Sequence, residues 1–259
     1  MSEFEKSIKS IQRRLLKEII FFLGKLQEDD SAVITNKMNL ELALRLEDII
    51  SLKMKSLGYD ESLLKLSQES KEIISKLRAE NVKSGLSDTL AEDAVLQIKA
   101  LDKVILEKDV RFLPEKLSSS ISQIVYGGVL GTLSHNEIID RVEQEIQIRF
   151  DQAVTLVEQY QHALRNTITI SQAKESGIEH YLYAGVDDSL TRPFCRRMVD
   201  KIWTLEELDS LGDSDLRGRQ PLPVSVHLGG FNCRHYLEPL DEETAQVMLQ
   251  AGEARRGKV

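Results

Sequence analysis

A chain of 259 residues can form one large domain or two smaller ones. Its 41% hydrophobic and 29% charged residues are typical of a folded globular protein. The formal net charge of −8 argues against nucleic-acid binding by the chain as a whole, although a local basic patch is compatible with it. Two cysteines are too few for a disulfide-based fold, but they could pair with each other.

The N-terminal sequence gives no sign of secretion or membrane insertion. The first ten residues are rich in charge and lack the apolar region of a secretory signal. The most apolar run, residues 19–23, is far too short to span a bilayer. We therefore expect the cytoplasm as the default compartment and no membrane partner.

Apolar residues recur at steps of three and four through the first part of the chain, which predicts helices with one buried face. The first helix is expected over residues 4–27 and the second over 40–57. Gly58 then occupies the position expected of a glycine beyond a helix C-terminus. The third helix is expected over residues 61–82.

The later helices have recognisable start signals. Ser87 is the expected N-cap of a fourth helix that runs from residue 88 towards 106. Pro114 suits the first turn of a fifth helix. Three glycines are expected to interrupt this helix: Gly127, Gly128 and Gly131. Residues 134–137 form a capping-box signature, which predicts a helix that continues, with at most one break, to about Gly177.

The periodicity changes after Gly177, which predicts a small α+β module. Residues 178–184 have the aromatic and β-branched content of a strand. Short helices are expected over residues 192–199 and, from a second capping box at Thr204, to about residue 211. The remaining elements are two strands, at 223–227 and 235–239, and a polar loop at 212–220.

The sequence therefore predicts a mainly α protein with three parts. An elongated helical body, either a bundle or an extended arm, occupies residues 1–176. The α+β module follows over 177–242, and a partly helical tail over 243–259. An extended arm would bury less surface than a compact bundle, so it would need a partner to cover its apolar stripe.

Within the module, distinctive residue types follow one another in a definite order. The aromatic strand comes first, then acidic residues, an Arg-x-x-Cys segment, the single tryptophan, and a glycine-rich run that ends in Cys-Arg-His. In chain order the residues that define this pattern are Asp187, Asp188, Thr191, Arg192, Cys195, Trp203, Gly229, Gly230, Asn232, Cys233, Arg234 and His235.

This order resembles the phage head-morphogenesis family typified by the F protein of bacteriophage Mu and by related minor head proteins. The family pattern has an aromatic-rich strand, Asp, Arg-x-x-His or Arg-x-x-Cys, and a Gly-rich loop that ends in Cys-Arg-Cys before a closing strand. The resemblance covers about residues 177–240 of this chain. It implies a structural protein of the virion rather than an enzyme.

The resemblance also implies partners and a location. A minor head protein of a tailed phage or prophage would associate with the portal protein or the major capsid protein during head assembly. Packaged DNA is a further candidate partner. The expected location is the head interior or portal region of the virion, with the host cytoplasm as the site of assembly.

Four residues of the module could bind zinc: Cys195, His227, Cys233 and His235. Cys233 and His235 are two positions apart, so on a strand their side chains would face the same way. Cysteine and histidine are the usual zinc ligands, and four of them make a closed structural site. The family usually has His at position 195 and Cys at position 235, so the kinds of ligand are kept while their places change. The alternative is two buried thiols and a hydrogen-bonded histidine in a small core.

Arg192 and Arg234 stand where the resembled family has its motif arginines. They could bind phosphate, or form bidentate ion pairs with Asp187 and Asp188. We expect the ion pairs, which would clamp the strand to the following helix. A contact with DNA is the alternative.

The same residues also allow an enzymatic interpretation. Cys195 could act as nucleophile, His227 or His235 as base, and Asp187 as orienting acid. The corresponding alternative function is a metal-dependent hydrolase or a toxin-like effector that uses the Cys/His cluster. No known active-site signature surrounds them, so a structural role is favoured. Gly229 and Gly230 are expected to permit a tight turn rather than to bind phosphate. A third interpretation is a helical adaptor with a zinc-ribbon-like tail. It does not explain why the residues of the module follow the order of the family pattern.

Overall fold

The structure is a computed structural model that describes residues 2–211, 223–230 and 232–257. The protein is mainly helical, with a small α+β region in its C-terminal part, as the sequence predicts. No helix in the described ranges combines the length and the apolar character needed to cross a bilayer. The loop predicted at 212–220 lies outside the described residues.

The elements follow one another in this order: α1 (Glu3–Leu23), β1 (Glu28–Asp29), β2 (Ala32–Val33), α2 (Lys37–Ser56), α3 (Tyr59–Lys83), α4 (Glu92–Leu101), a π-helical segment (Asp102–Val110), α5 (Leu113–Leu130), α6 (His135–Glu175), β3 (His180–Ala184), α7 (Pro193–Met198), β4 (Lys201–Trp203), α8 (Leu205–Ser210), α9 (Val224–His227), β5 (Tyr236–Leu240), α10 (Glu242–Ala251) and β6 (Arg255–Arg256).

The chain divides into two compact units. The first contains residues 1–69 and 107–154, and the second contains residues 70–106 and 155–259. The second unit is therefore larger than the module expected over 177–242. It also includes the second half of α6, the later part of α3, all of α4 and the start of the π-helical segment.

In the first unit, α1, α2, α5 and the first part of α6 contact one another in a ring. α2 packs against both α1 and α5. Ser120 of α5 donates to the Glu145 carboxylate of α6, and Gln12 of α1 bonds to Gln147 of α6. Each helix turns one apolar stripe inward, as the spacing of three and four predicts. The buried side chains of α1 are Phe4, Ile8, Ile11, Leu15, Ile19 and Leu23.

Two of the three glycines expected to interrupt α5, Gly127 and Gly128, do not do so. The helix continues through Gly127 and Gly128 and ends with Gly131 as its C-cap. A Cβ added at Gly128 would lie 2.7 Å from a side-chain carbon of Ile138 in α6. Gly128 is therefore explained by the close approach of two helices, and not by a break in one of them.

The fourth helix also begins later than expected. Its N-cap is Ala91, and Ser87 accepts a hydrogen bond from the backbone of Thr89 instead. The backbone of Ser87 is bonded to the Gln172 amide of α6 and to the hydroxyl of Ser176, the residue that follows this helix. These bonds hold the segment against α6, so the helix cannot start there.

A four-stranded sheet forms the centre of the second unit, in the order β5-β3-β4-β6. β3 pairs antiparallel with both β4 and β5, and β4 pairs parallel with β6. The strands at 180–184 and 236–240 match the predicted ones closely. The strands β4 and β6 were not predicted.

The two faces of this sheet bury different sets of side chains because successive residues of a strand point in opposite directions. One face packs on α6, α7 and α8 through a core that includes Tyr181, Tyr183, Phe194, Trp203 and Leu237. The other face packs on α10 through Ile202, Leu240, Ala245 and Ala254. The expected partly helical tail thus supplies both α10 and the edge strand β6.

The strand predicted at residues 223–227 is wrong, because these residues form the short helix α9. Pro223 is its N-cap, with a backbone conformation fixed by the proline ring. All four residues of α9 are buried. Their apolar content therefore reflects burial in the core, which a short strand and a short helix share.

Candidate metal centre

Three side chains of the predicted zinc set meet in the second unit: Cys195, Cys233 and His235. Cys195 lies in α7, and the other two lie at the end of the loop that leads into β5. Their candidate ligand atoms all lie within 4.8 Å of one another. Both cysteines are free thiols, so the alternative of a disulfide is not formed.

The distances between these atoms fit a tetrahedral zinc ion. The two sulfurs are 3.9 Å apart, and Cys233 Sγ lies 3.6 Å from His235 Nδ1. With Zn–S near 2.3 Å and Zn–N near 2.0 Å, tetrahedral angles require about 3.8 Å between two sulfurs and about 3.5 Å between a sulfur and a nitrogen. Two of the three separations therefore match a tetrahedral zinc ion, and the third pair, Cys195 and His235, has ligand atoms within 4.8 Å of each other.

His227 is not brought into this cluster. It lies in α9, is 1% exposed and lines a different cavity, beside Glu158 and Gln159 of α6. Cys233 borders that cavity as well as the cluster. Within the described part of the chain, three of the four expected zinc ligands are together, and the fourth is not.

Two glycines make room for the cluster. A Cβ at Gly229 would overlap the sulfur of Cys195 and approach that of Cys233 to 3.1 Å. A Cβ at Gly185 would lie 2.6 Å from the ring of His235. Gly229 therefore does more than permit a turn, since any side chain there would fill the space between the two thiols.

The thiols are surrounded by hydrogen-bond donors. The Tyr183 hydroxyl donates to Cys195 Sγ at 3.4 Å, and the backbone N–H of Gly229 donates to Cys233 Sγ at 3.3 Å. The hydrogen bond between the thiols, supported by the one from His235, lowers the pKa of Cys233. The same thiol–thiol bond, together with burial, raises the pKa of Cys195. The arrangement favours one thiolate at Cys233, which is the form that binds metal.

A side chain of α6 contacts the backbone of His235. Its backbone carbonyl lies 2.6 Å from His162 Nε2, and Asn166 of the same helix bonds to both His162 Nδ1 and the Val226 carbonyl. The His235 side chain is 2% exposed, and its Nε2 has no hydrogen-bond partner within the described residues. The nitrogen that faces the thiols is Nδ1, so a metal held by the two cysteines would bind that nitrogen and not Nε2.

The motif arginines are used in two different ways. Arg234 forms a bidentate ion pair with Asp188, with distances of 2.7 and 2.5 Å, as expected. This pair holds the pKa of the Asp188 carboxyl well below its usual range. Arg192 instead donates to the backbone carbonyl of Gly229. Asp187 pairs with Arg196, at 3.1 Å, rather than with a motif arginine.

The remaining motif residues shape the loops around the cluster. Thr191 closes the turn at Asp188 by donating to the Val186 carbonyl and accepting from the Asp188 backbone N–H. Gly230 and Asn232 both have positive φ, at 76° and 54°, where glycine and asparagine are the residues that fit best. Trp203 is a core side chain, 1% exposed.

Sequence reasoning missed four residues that support the cluster: Tyr183, Gly185, His162 and Asn166. Tyr183 belongs to the strand predicted over residues 178–184 and Gly185 directly follows it, but only the fold shows that both contact the cluster. The two α6 residues are four apart, a spacing that puts both on one helix face. Polar residues on one face of an otherwise buried helix were the available signal.

Comparisons were made with protein-family models, with curated proteins and with solved structures, and none of the three found a match.

Proposed function

We propose that this protein is a minor head protein of a tailed bacteriophage or prophage, of the Mu F-like kind. One observation carries the proposal: motif residues far apart in sequence contact one another in the fold. Asp188 pairs with Arg234, 46 residues away, and Cys195 meets Cys233, 38 residues away. Residues that matched a family pattern only by accident would have no reason to converge.

The proposed role of the cluster is to stabilise the module through a bound zinc ion. The supporting facts are two donor separations that match tetrahedral zinc, the closeness of all three donors and the two glycines that make room. Cysteines and a histidine would hold the ion as thiolates and a neutral imidazole. The ion would then tie α7 to the loop that precedes β5.

The helical first unit offers surface for the portal or capsid partner. Several large apolar side chains there are exposed, and such side chains on a surface are typical of contacts with other proteins when they cluster. They are Phe21, Leu44, Leu52, Leu64, Leu130 and Ile148.

Contact with packaged DNA receives less support. Arg234 and Arg196 are both paired with carboxylates, and the formal net charge of the chain is −8. Binding to phosphate backbones needs clustered cations that are not already paired.

The test is quantitative mass spectrometry of particles purified after prophage induction, with DNA-full heads compared with empty ones. A few copies of this chain in each particle, in both kinds of head, are expected. Absence from both kinds of particle would remove the virion role. Presence in full heads alone would indicate that the chain binds the packaged DNA and not the portal or capsid protein.

A second candidate is a metal-dependent hydrolase or toxin-like effector, and one observation favours it. Catalytic zinc sites keep three protein ligands and one open position, which is the number of donors found here. Cys233→Ser separates the two roles. A structural site predicts a less stable module and a variant lost from particles, whereas a catalytic site predicts a folded variant that enters particles and lacks a later activity.

A further inference from the structure

The cavity that contains His227 lies wholly within the second unit. Its volume is about 400 Å³, which is within the range of pockets that bind small ligands. α6 contributes Glu158, Gln159 and His162 to the lining, and Asn232 comes from the loop before β5. Glu158 is exposed, so the cavity opens to solvent.

Gln159 is the unusual side chain of this cavity. It is 6% exposed, and neither its amide nitrogen nor its amide oxygen has a hydrogen-bond partner within the described residues. Gln172, a buried glutamine of the same helix, accepts from Asn81 and donates to the Ser87 carbonyl. Buried polar groups in native proteins are nearly always hydrogen-bonded, because an unpaired one destabilises the fold. The unpaired amide of Gln159 therefore marks a site for a ligand.

The chemistry of the lining selects the ligand. A carboxamide presents a donor beside an acceptor, so a ligand that only donates or only accepts would leave one atom of Gln159 unpaired. A second amide satisfies both atoms with two hydrogen bonds.

The charge at the opening of the cavity narrows the choice further. Glu158 has no ion-pair partner within the described part of the chain, whereas the Arg234 guanidinium is occupied by the Asp188 carboxylate. The uncompensated charge beside the cavity is therefore negative, which favours an amide that is linked to a cation.

We propose that this cavity binds an amide group of a positively charged polypeptide segment, with Gln159 bonded to the amide and Glu158 paired with the cation. The amide belongs either to the backbone or to an asparagine or glutamine side chain, because both carry the same donor and acceptor. A nucleobase edge also pairs with glutamine, but its phosphates would be repelled by Glu158. The inference does not depend on the metal centre, since neither Gln159 nor Glu158 is one of its donors.

Nuclear magnetic resonance of the purified full-length chain tests the proposal. The side-chain amide signals of Gln159 are identified as the pair that is lost in Gln159→Met. One probe, δ-aminovaleramide, joins a primary carboxamide to an ammonium group. The other, N-acetyl-lysine N-methylamide, joins backbone peptide groups to an ammonium group. At least one of them should shift the Gln159 signals saturably, and the lower midpoint identifies the source of the amide. Valeramide, which lacks the cation, should bind several-fold more weakly than δ-aminovaleramide.

Variants separate a ligand site from a structural role. Methionine at position 159 removes two unpaired polar atoms from the interior, so Gln159→Met should keep or raise the melting temperature. The same change should raise the midpoint for the better probe about tenfold, because both hydrogen bonds to the ligand are lost. Binding to this variant is followed by the backbone signal of Gly230, which lines the cavity.

Gln172→Met is the matched control, because it removes a bonded amide from the same helix. It should lower the melting temperature and leave the midpoint of the probe unchanged. Glu158→Gln tests the cation, since δ-aminovaleramide and valeramide should then bind equally well.

Three results would overturn the inference. The absence of a saturable shift with both probes would mean that water alone occupies the cavity. A lower melting temperature in Gln159→Met, with unchanged affinity for the probe, would mean that Gln159 stabilises the fold. Tighter binding of adenosine than of either amide would mean that the cavity selects a nucleobase.

Discussion

The helical unit and the C-terminal module are stabilised in different ways. α1, α2 and α5 are about 20 residues long and each buries a continuous apolar stripe. In the module, strands of two to five residues meet short helices, and the loops between them are fixed by hydrogen bonds and ion pairs. Burial alone can define the first kind of structure. The second kind has buried cores of its own and depends in addition on specific polar contacts, the Cys/His cluster among them.

A chain built in these two ways should respond to substitution in two ways. Removal of an apolar side chain from the helical unit should cost stability in proportion to the volume lost. Removal of a polar contact from the module should instead affect one local structure. Trp203 is the only tryptophan of the chain and lies in the module, so its fluorescence reports on that region.

The largest effect is expected from Cys233→Ser. Loss of one thiolate should abolish stoichiometric zinc binding, because structural zinc sites need their full set of ligands. The Trp203 emission should shift to the red as the module loosens, while most of the helical circular dichroism remains. Zinc content by elemental analysis and fluorescence are the measurements. His180→Asn, a histidine outside the cluster, should leave both unchanged, and normal zinc content in Cys233→Ser would exclude the proposed centre.

A core substitution in the helical unit comes next. Leu46→Ala removes a fully buried side chain of α2 and should lower the free energy of unfolding by about 3 kcal/mol. Leu44→Ala, two residues away and 63% exposed, is the control and should change it by less than about 0.5 kcal/mol. Denaturant titration followed by circular dichroism measures both. Equal effects of the two substitutions would contradict the assigned face of α2.

Gly229→Ala should have an intermediate effect. The new methyl group would overlap the Cys195 sulfur, so it should weaken zinc binding at least tenfold and destabilise the module by about 2 kcal/mol. Gly127→Ala is the matched control, because no atom lies within 4 Å of a Cβ there and the residue is in a helix. This control should stabilise the protein by up to about 1 kcal/mol. Competition with a zinc-binding dye gives the affinity.

The smallest effect is expected from the Arg234–Asp188 pair, because it lies at the surface. The pKa of Asp188 is lowered in the folded protein, so the pair stabilises the fold above the usual carboxyl pKa of about 4 and loses this contribution as the pH falls. Asp188→Asn should therefore lower the melting temperature slightly at pH 7 and make no difference in strong acid. Asp187→Asn is the control and should have less effect at pH 7. If the melting temperatures of Asp188→Asn and the unmodified chain differed more in acid than at pH 7, the assigned pH dependence would be wrong.

Sequence patterns sufficed where the structure is local. The two capping boxes are present: Ser134 exchanges hydrogen bonds with Glu137, and Thr204 does so with Glu207. Pro114 lies in the first turn of α5, as predicted. These features depend on residues three or four positions apart, so the sequence contains all the information they need.

Other features depend on neighbours that are remote in sequence. The residues of β6 are two arginines, and only their pairing with β4 makes them a strand. Gly128 looks like a helix breaker until Ile138 is seen beside it. For the candidate site, the sequence identified the three donors but not their separation from His227, nor the contribution of His162. Those facts depend on how α6 and the loop before β5 are placed in the fold, and no local sequence pattern predicts that placement.

The distance along the chain between Cys195 and Cys233 has a consequence for the unfolded state. A metal ion that joins them closes a loop of 38 residues. A covalent cross-link over that length would remove chain entropy from the unfolded ensemble worth on the order of 4 kcal/mol. Thiolates that keep the ion during unfolding would therefore restrict the denatured chain as well as organise the native one. Zinc could then speed the return to the fold by keeping α7 and the β5 loop together before any strand has paired.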